Sequence, residues 1–289
     1  MLNSSLLREE YIEQNYFFRV YRERLDDGIP SQEILSLLHE EVLATTKLPM
    51  AIEFMRGEMM LTGRISDAMQ HLGHYFTAFQ AFVMSQAEED RSKFDQRTAL
   101  EVLEREAKYR SESPTQAGLF VYQFECIARN RLGYEAGMQA MADDPAYDQE
   151  WSGWIRKARL RLGATDFCDL IYFRSEQWCE DRQRRSREPQ DESQPFLFGK
   201  AEGRIAKANR GRDPLLMFAA LQRQLGYPRI PKAVRADSGP IIHPMLEQRL
   251  HRLEMRLKLV ESEVKGDTDL SQFYFPSPES SPERASDNE

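Results

Sequence analysis

The 289-residue sequence has no run approaching the roughly 20 apolar residues that a membrane-spanning helix requires. Its start, MLNSSLLREEYIEQ, has neither a basic n-region nor an apolar h-region, so no secretory signal is expected. Cysteine is scarce. Cys126, Cys168 and Cys179 show no CxxC spacing and an odd count, which reads as reduced thiols in the cytoplasm. GxxxxGKS/T, GxSxG and HExxH are all missing, so P-loop nucleotide hydrolysis, the hydrolase elbow and zincin chemistry have no motif to rest on. His71 and His74 are three apart, but Gly73 lies between them and no Cys or carboxylate sits at supporting spacing; they read as a surface pair. Asp166 and Asp169 are likewise three apart, and Asp166 reads as a helix cap before it reads as a general base. No metal or cofactor is expected, and no catalytic residue.

What is present is helical periodicity. The stretch from Phe17 to Leu38, FFRVYRERLDDGIPSQEILSLL, reads as helix, turn, helix. Tyr16, Phe17, Val20, Tyr21 and Leu25 form a stripe of helical period. Gly28 supplies a left-handed stop, Pro30 prevents continuation, and Ser31 is placed to cap a second helix carrying Ile34, Leu35, Leu38 and Val42 to about Thr46. Pro49 fits the first turn of a third helix with the stripe Leu48, Ile52, Met55 and Met59, ended by Gly63. Ser66-Asp67 starts the next helix. Leu72, Phe76, Phe79 and Val83 then share a face, with a break at Gly73, and a fifth helix runs from Phe94 to Arg110. Such stripes can be buried only against each other, so an all-α antiparallel helical bundle is expected.

Residues from about 13 to 110 resemble the cytoplasmic domain of the type II secretion system F protein, also found in the type IV pilus inner-membrane platform. Arg19 and Gly28–Ile29–Pro30 sit where that family's opening FF-x-L-x-x-L-x-x-G-I/V-P pattern places them, with Ile34 for a small residue. Gly63 to Met69 is similar to its G-x-S/T-L-S-E-A-L helix start, and Phe76 to the phenylalanine of its H-P-x-x-F-P turn, with Gly73 and Thr77 for the prolines. Residues 87–92 match its G-E-x-S-G turn only loosely, with both glycines missing. The resemblance implies a six-helix bundle that docks protein partners, such as a secretion or pilus assembly ATPase or an inner-membrane component, with Arg19, Glu88 and Glu89 near the contact grooves. The membrane helices that follow this domain in the family have no counterpart in GLFVYQFECIARNRLGYEAGM. Its Glu125, Arg129 and Arg131 would each cost roughly 2.5–3.5 kcal/mol at mid-bilayer. The expected role is therefore a non-catalytic cytoplasmic adaptor and not a membrane platform.

The bundle is expected over residues 1–112, followed by a helical extension at 113–181. Phe120–Gly133 and Gly163–Asp166 resemble Phe17–Gly28 and Gly63–Ser66, so the extension is either a degenerate second copy or an unrelated addition. Within it, Pro114 starts one helix and Asp148 another bearing Trp151, Trp154 and Ile155. Residues 182–195 read as a polar linker, and residues 196–242 as a short basic segment. There Asp213-Pro214 opens a helix with Leu215, Phe218, Ala219 and Gln222 on one side and Gly226 at its end. Residues 243–265 form a heptad helix whose seam is Leu246, Leu250, Leu253, Leu257, Val260 and Val264; it either folds back or pairs with a second copy. Residues 266–289, acidic and Ser-Pro-rich, are expected to be disordered.

Charge is divided unevenly. Residues 1–150 hold 15 Lys/Arg against 26 Asp/Glu, residues 151–235 hold 18 against 10, and the remainder 6 against 11. In the basic middle, Lys200, Arg204 and Lys207 fall at i, i+4 and i+7, with Arg210 and Arg212 beyond. Such a row suits phosphates, which makes nucleic-acid binding the alternative function, or else it is a solvated or internally paired face. No aromatic residues interleave with it to stack on unpaired bases.

Overall fold

The structure, a computed structural model, describes residues 6–89, 94–185 and 195–232. All of these lie in one compact unit, Met1–Arg235. Among the described residues there are thirteen α-helices and no strand, only the isolated bridges Leu162–Thr165 and Ser175–Phe198. The all-α expectation holds. No described helix is long and apolar enough to cross a membrane. The expected heptad helix and the Ser-Pro-rich end lie outside the described residues.

Helix α1 (Arg8–Asp26) buries Phe17, Phe18 and Tyr21 and stops at Gly28, whose φ of +80° suits a residue without a Cβ. Helix α2 (Ser31–Glu41) buries Ile34, Leu35 and Leu38. Its N-cap is Pro30 and no side chain caps it, so the expected Ser31 cap is not formed. It also ends before the expected Thr46. The physical reason lies in α1. The buried carboxylates of Glu13 and Glu10 need donors, and they take the backbone N–H groups of Leu43 (3.1 Å) and Lys47 (3.1 Å), drawing residues 42–47 out of helix.

Helix α3 (Leu48–Thr62) begins over Pro49 and ends at Gly63 with φ +74°, as the punctuation predicts. Helix α4 (Ile65–His71) follows. Residues 72–77 make the expected break, and α5 (Ala78–Ala87) starts on a capping box of Thr77 and Gln80. Gln80 also donates to Gln14 (3.1 Å), which donates to the Tyr75 carbonyl (3.1 Å), so a buried amide relay ties α1 to α5. Helix α6 (Gln96–Ser111) is capped by Asp95 and lies along α1, where Arg22 pairs with Glu104 at 2.8 Å.

The chain continues through α7 (Gln116–Asn130), α8 (Tyr134–Ala142), α9 (Gln149–Arg161), α10 (Phe167–Tyr172), α11 (Glu176–Arg185), α12 (Lys200–Ala208) and α13 (Pro214–Leu225). Helix α7 buries every residue from Gly118 to Ile127, the mark of a central helix. Glu125 is tolerated there because Arg129 and the Tyr227 hydroxyl (2.6 Å) satisfy its carboxylate. The expected division near residue 112 is crossed by Tyr122, which donates to the Val102 carbonyl at 2.7 Å, and one apolar cluster runs from Phe17 to Ile230.

Three local expectations are corrected. Residues 182–185 belong to α11 and not to a linker, because α11 packs on α12 through ion pairs. In α13 the buried residues are Met217, Phe218 and Leu221. Leu215 and Ala219 face outward, although Asp213, Pro214 and Gly226 cap, start and stop the helix as expected. The second predicted helix, Ser31 to Thr46, is five residues too long at its end.

Candidate functional site

Of the residues suggested by the family resemblance, Arg19 is exposed on α1, its guanidinium 5.5 Å from the Tyr16 ring centre. Glu88 is engaged within the fold. Its carboxylate accepts from the N–H of Ile65 (2.8 Å), the N–H of Ser66 (3.1 Å) and the Ser66 hydroxyl (2.5 Å), so it caps α4 from the end of α5. Glu89 is exposed and accepts from Gln86 at 2.7 Å. The three do not converge on one pocket.

The basic row is similarly engaged. Lys200 pairs with Glu180 at 2.6 Å, Lys207 with Asp181 at 2.5 Å, and Arg210 with Asp169. Arg210 also lies 4.3 Å over the Tyr172 ring. Lys207 and the Tyr172 hydroxyl hold the Asp181 carboxyl down at about 2. Arg204 and Arg212 are exposed. Helix α12 therefore lays Lys200 and Lys207 on acids of α11, and Arg210, just beyond its end, meets Asp169 of α10. Asp166 caps α10, donating nothing and accepting from the Cys168 N–H at 3.2 Å, and does not join Asp169 in a reactive pair.

Two further surfaces stand out among the described residues. The first is the outer face of α3. Its inner face buries Leu48, Ala51, Ile52, Met55 and Met59, while Met50, Phe54, Met60 and Leu61 are 72, 39, 76 and 82% exposed. Met50, Phe54, Gly57 and Leu61 follow helical spacing, and a Cβ at Gly57 would meet no atom within 4 Å. Residues 31–62 around this stripe carry five acids against two bases.

The second is a cleft of about 740 Å³ between α9, α10 and α11. Among the described residues its walls carry the rings of Trp154, Phe173 and Trp178, the cations Lys157, Arg161 and Arg174, and the acid Glu150. Burial lowers the Arg174 guanidinium and Glu150 acts against that. Phe173 and Trp178 meet edge to face at 6.0 Å.

Comparison with known families, curated proteins and solved structures gives no match. Function therefore has to be argued from these surfaces. Among the described residues no group of three or more His, Cys, Asp or Glu could hold a metal ion. His71 lies 3.7 Å from Glu58 and edge-on to Phe54, a contact beside the α3 stripe. The cysteines are free; burial raises the thiol of Cys126 well above its ordinary value and brings that of Cys168 to about 11, so neither is poised as a nucleophile.

Sequence reasoning passed over the cleft because its residues come from three helices. It also passed over the α3 stripe: α3 carries apolar residues on both faces, a pattern that fits a central helix such as α7 as well as an exposed apolar stripe.

Proposed function

We propose that this chain is a non-catalytic helical adaptor, akin to the cytoplasmic domain of the type II secretion F and pilus platform proteins. In this reading α1–α6 form the six-helix bundle implied by that kinship. The observation that carries the proposal is the apolar outer face of α3. Burying Met50 and Leu61, 72 and 82% exposed, would contribute up to about 1.5–3 kcal/mol each, and Phe54, already mostly covered, less. The occupant is an amphipathic helix of a protein partner, since spaced apolar anchors along a helix match helix-to-groove recognition. The acidic surroundings of α3 select a partner helix with basic flanks.

The nucleic-acid alternative has less support, because Lys200, Lys207 and Arg210 already meet Glu180, Asp181 and Asp169.

Titration with amphipathic Leu/Lys and Leu/Glu helical peptides tests the occupant. The Leu/Lys peptide should bind and the Leu/Glu peptide should not. Met50→Glu with Leu61→Glu should abolish binding even though it adds acid. Equal binding of the Leu/Lys peptide by that variant would contradict an apolar anchor.

A further inference from the structure

We propose that the outer face of α13 in one copy of this chain docks on the outer face of α3 in a second copy. The inference rests on the reading of α3 as a helix-docking face and names one occupant for it. Helix α13 turns Met217, Phe218 and Leu221 into the core. That leaves Leu216, Ala219 and Arg223 on the opposite side at spacings of 3 and 4, with Leu215 beside them, all exposed. Leu215 and Leu216 are 45 and 58% exposed. Arg212 stands exposed just before the helix begins. An apolar patch with a cation at either end is the kind of helix face that the α3 stripe calls for. The lengths suit: α13, with 12 residues, runs about 18 Å and can lie along α3, with 15 residues and about 22 Å. Gly57, with no atom within 4 Å of where a Cβ would sit, leaves a dip between Phe54 and Leu61 for a knob such as Leu216 to enter.

The two faces carry opposite charge. Residues 209–229 hold four bases against one acid, and Arg212 and Arg223 form no ion pair among the described residues. On the α3 side, α2 packs alongside and turns Glu33, Leu37 and Glu40 outward at spacings of 4 and 3. Glu33 and Glu40 likewise form no ion pair among the described residues. Opposite charge around apolar centres favours α13 on α3 and opposes α3 on α3 or α13 on α13. Both faces are exposed within one compact unit, so neither covers the other inside a copy, and the match is made between copies. Each copy gives α13 and receives on α3, a head-to-tail contact that closes on itself or runs on. One helix face on another is smaller than a standard interface, so association is weak, with a Kd of about 10–100 µM.

Sedimentation and light scattering of the full chain over about 1–300 µM, a range that brackets the expected Kd, read the contact. The mean mass should rise above that of one 33.7-kDa chain as concentration increases, and rise less at about 0.5 M salt, where exposed charges are screened. Met50→Glu with Leu61→Glu, and separately Leu215→Glu with Leu216→Glu, should each keep the melting temperature and weaken self-association at least tenfold. Arg212→Glu with Arg223→Glu should do the same without touching an apolar residue. Mixed together, the α3 variant and the α13 variant should form a 1:1 dimer, because one still offers α13 and the other still offers α3. The inference is overturned if the unaltered chain stays monomeric throughout, if the α3 or the α13 variant alone associates as the unaltered chain does, or if their mixture stays monomeric. A monomeric chain that still binds the Leu/Lys peptide overturns self-docking alone. Loss of that peptide binding as well overturns the reading of α3 on which it rests.

Discussion

Arg110 on α6 forms a salt bridge with Asp144 in the turn after α8, and both side chains are all but closed to water, 2% and 0% exposed. Glu106 lies one helical turn before Arg110, with its Oε1 2.9 Å from the guanidinium. Gln123 on α7 donates to both carboxylates, at 2.9 Å to Glu106 and 3.0 Å to Asp144, and Tyr147 donates to Gln123 at 2.7 Å. The network joins α6, α7 and the α8–α9 connection at one buried point. Asp144→Asn leaves the Arg110 charge without its strongest partner and should destabilise the fold by about 3–5 kcal/mol. Urea unfolding followed by tryptophan fluorescence measures this; a loss under about 1 kcal/mol would show that the pair is not the joint it looks to be.

The same network gives a pH dependence with a definite sign. Burial raises the Glu106 carboxyl and Asp144 adds to that, with Arg110 and Gln123 opposing. Its Oε2 has no hydrogen-bond partner among the described residues. A carboxyl raised on folding stabilises the native state below its ordinary value near 4.3, and that contribution is lost as pH rises through the folded value. Glu106→Gln should therefore remove part of the decline in stability on the alkaline side. Parallel urea curves for the two proteins between pH 4 and pH 9 check it. Unchanged slopes would mean that Glu106 ionises as in water.

Close approach of α12 to the α10–α11 turn predicts a steric cost. A Cβ at Gly203 would lie 2.2 Å from Ser175 Oγ and 2.8 Å from Gln177 Cβ. Gly203→Ala should cost about 1–3 kcal/mol despite the gain in helix propensity, whereas the same change at Gly153, which has open space, should stabilise. Thermal melting of the two variants gives opposite signs if the contact is as tight as described.

Glu88 is predicted to act as a remote cap. Glu88→Ala removes the acceptor for two N–H groups at the start of α4 and should cost about 0.5–2 kcal/mol. Hydrogen exchange should quicken first at Ile65 and Ser66. Protection lost evenly along the chain would point to a different role.

How much of this was visible in the sequence depends on how local the cause is. Gly28, Pro49, Gly63, Asp148, Asp213 and Gly226 mark helix ends through their own backbone preferences, and the structure uses each of them there. The early end of α2 was hidden because Glu10 and Glu13, some thirty residues earlier in the chain, cause it. The all-round burial of α7 was hidden for a similar reason. Glu125 and Arg129 make its sequence look half-exposed until Tyr227 and the intrahelical pair are seen to satisfy them. The sequence left open that Lys200 to Arg212 is an internally paired face, but it could not name Glu180 and Asp181 as the partners, because they lie on another helix. The cleft needs Lys157, Arg174 and Trp178 together, and nothing in a linear pattern joins them.

The most direct test of the adaptor reading is affinity capture from the native cytosol, run in parallel with the unaltered chain and with Met50→Glu/Leu61→Glu. Both changes fall on exposed positions and should move stability by no more than about 0.5 kcal/mol. The account predicts a secretion or pilus assembly component retained by the unaltered chain and absent from the variant. The same proteins retained by both, or no such component retained by either, would contradict it.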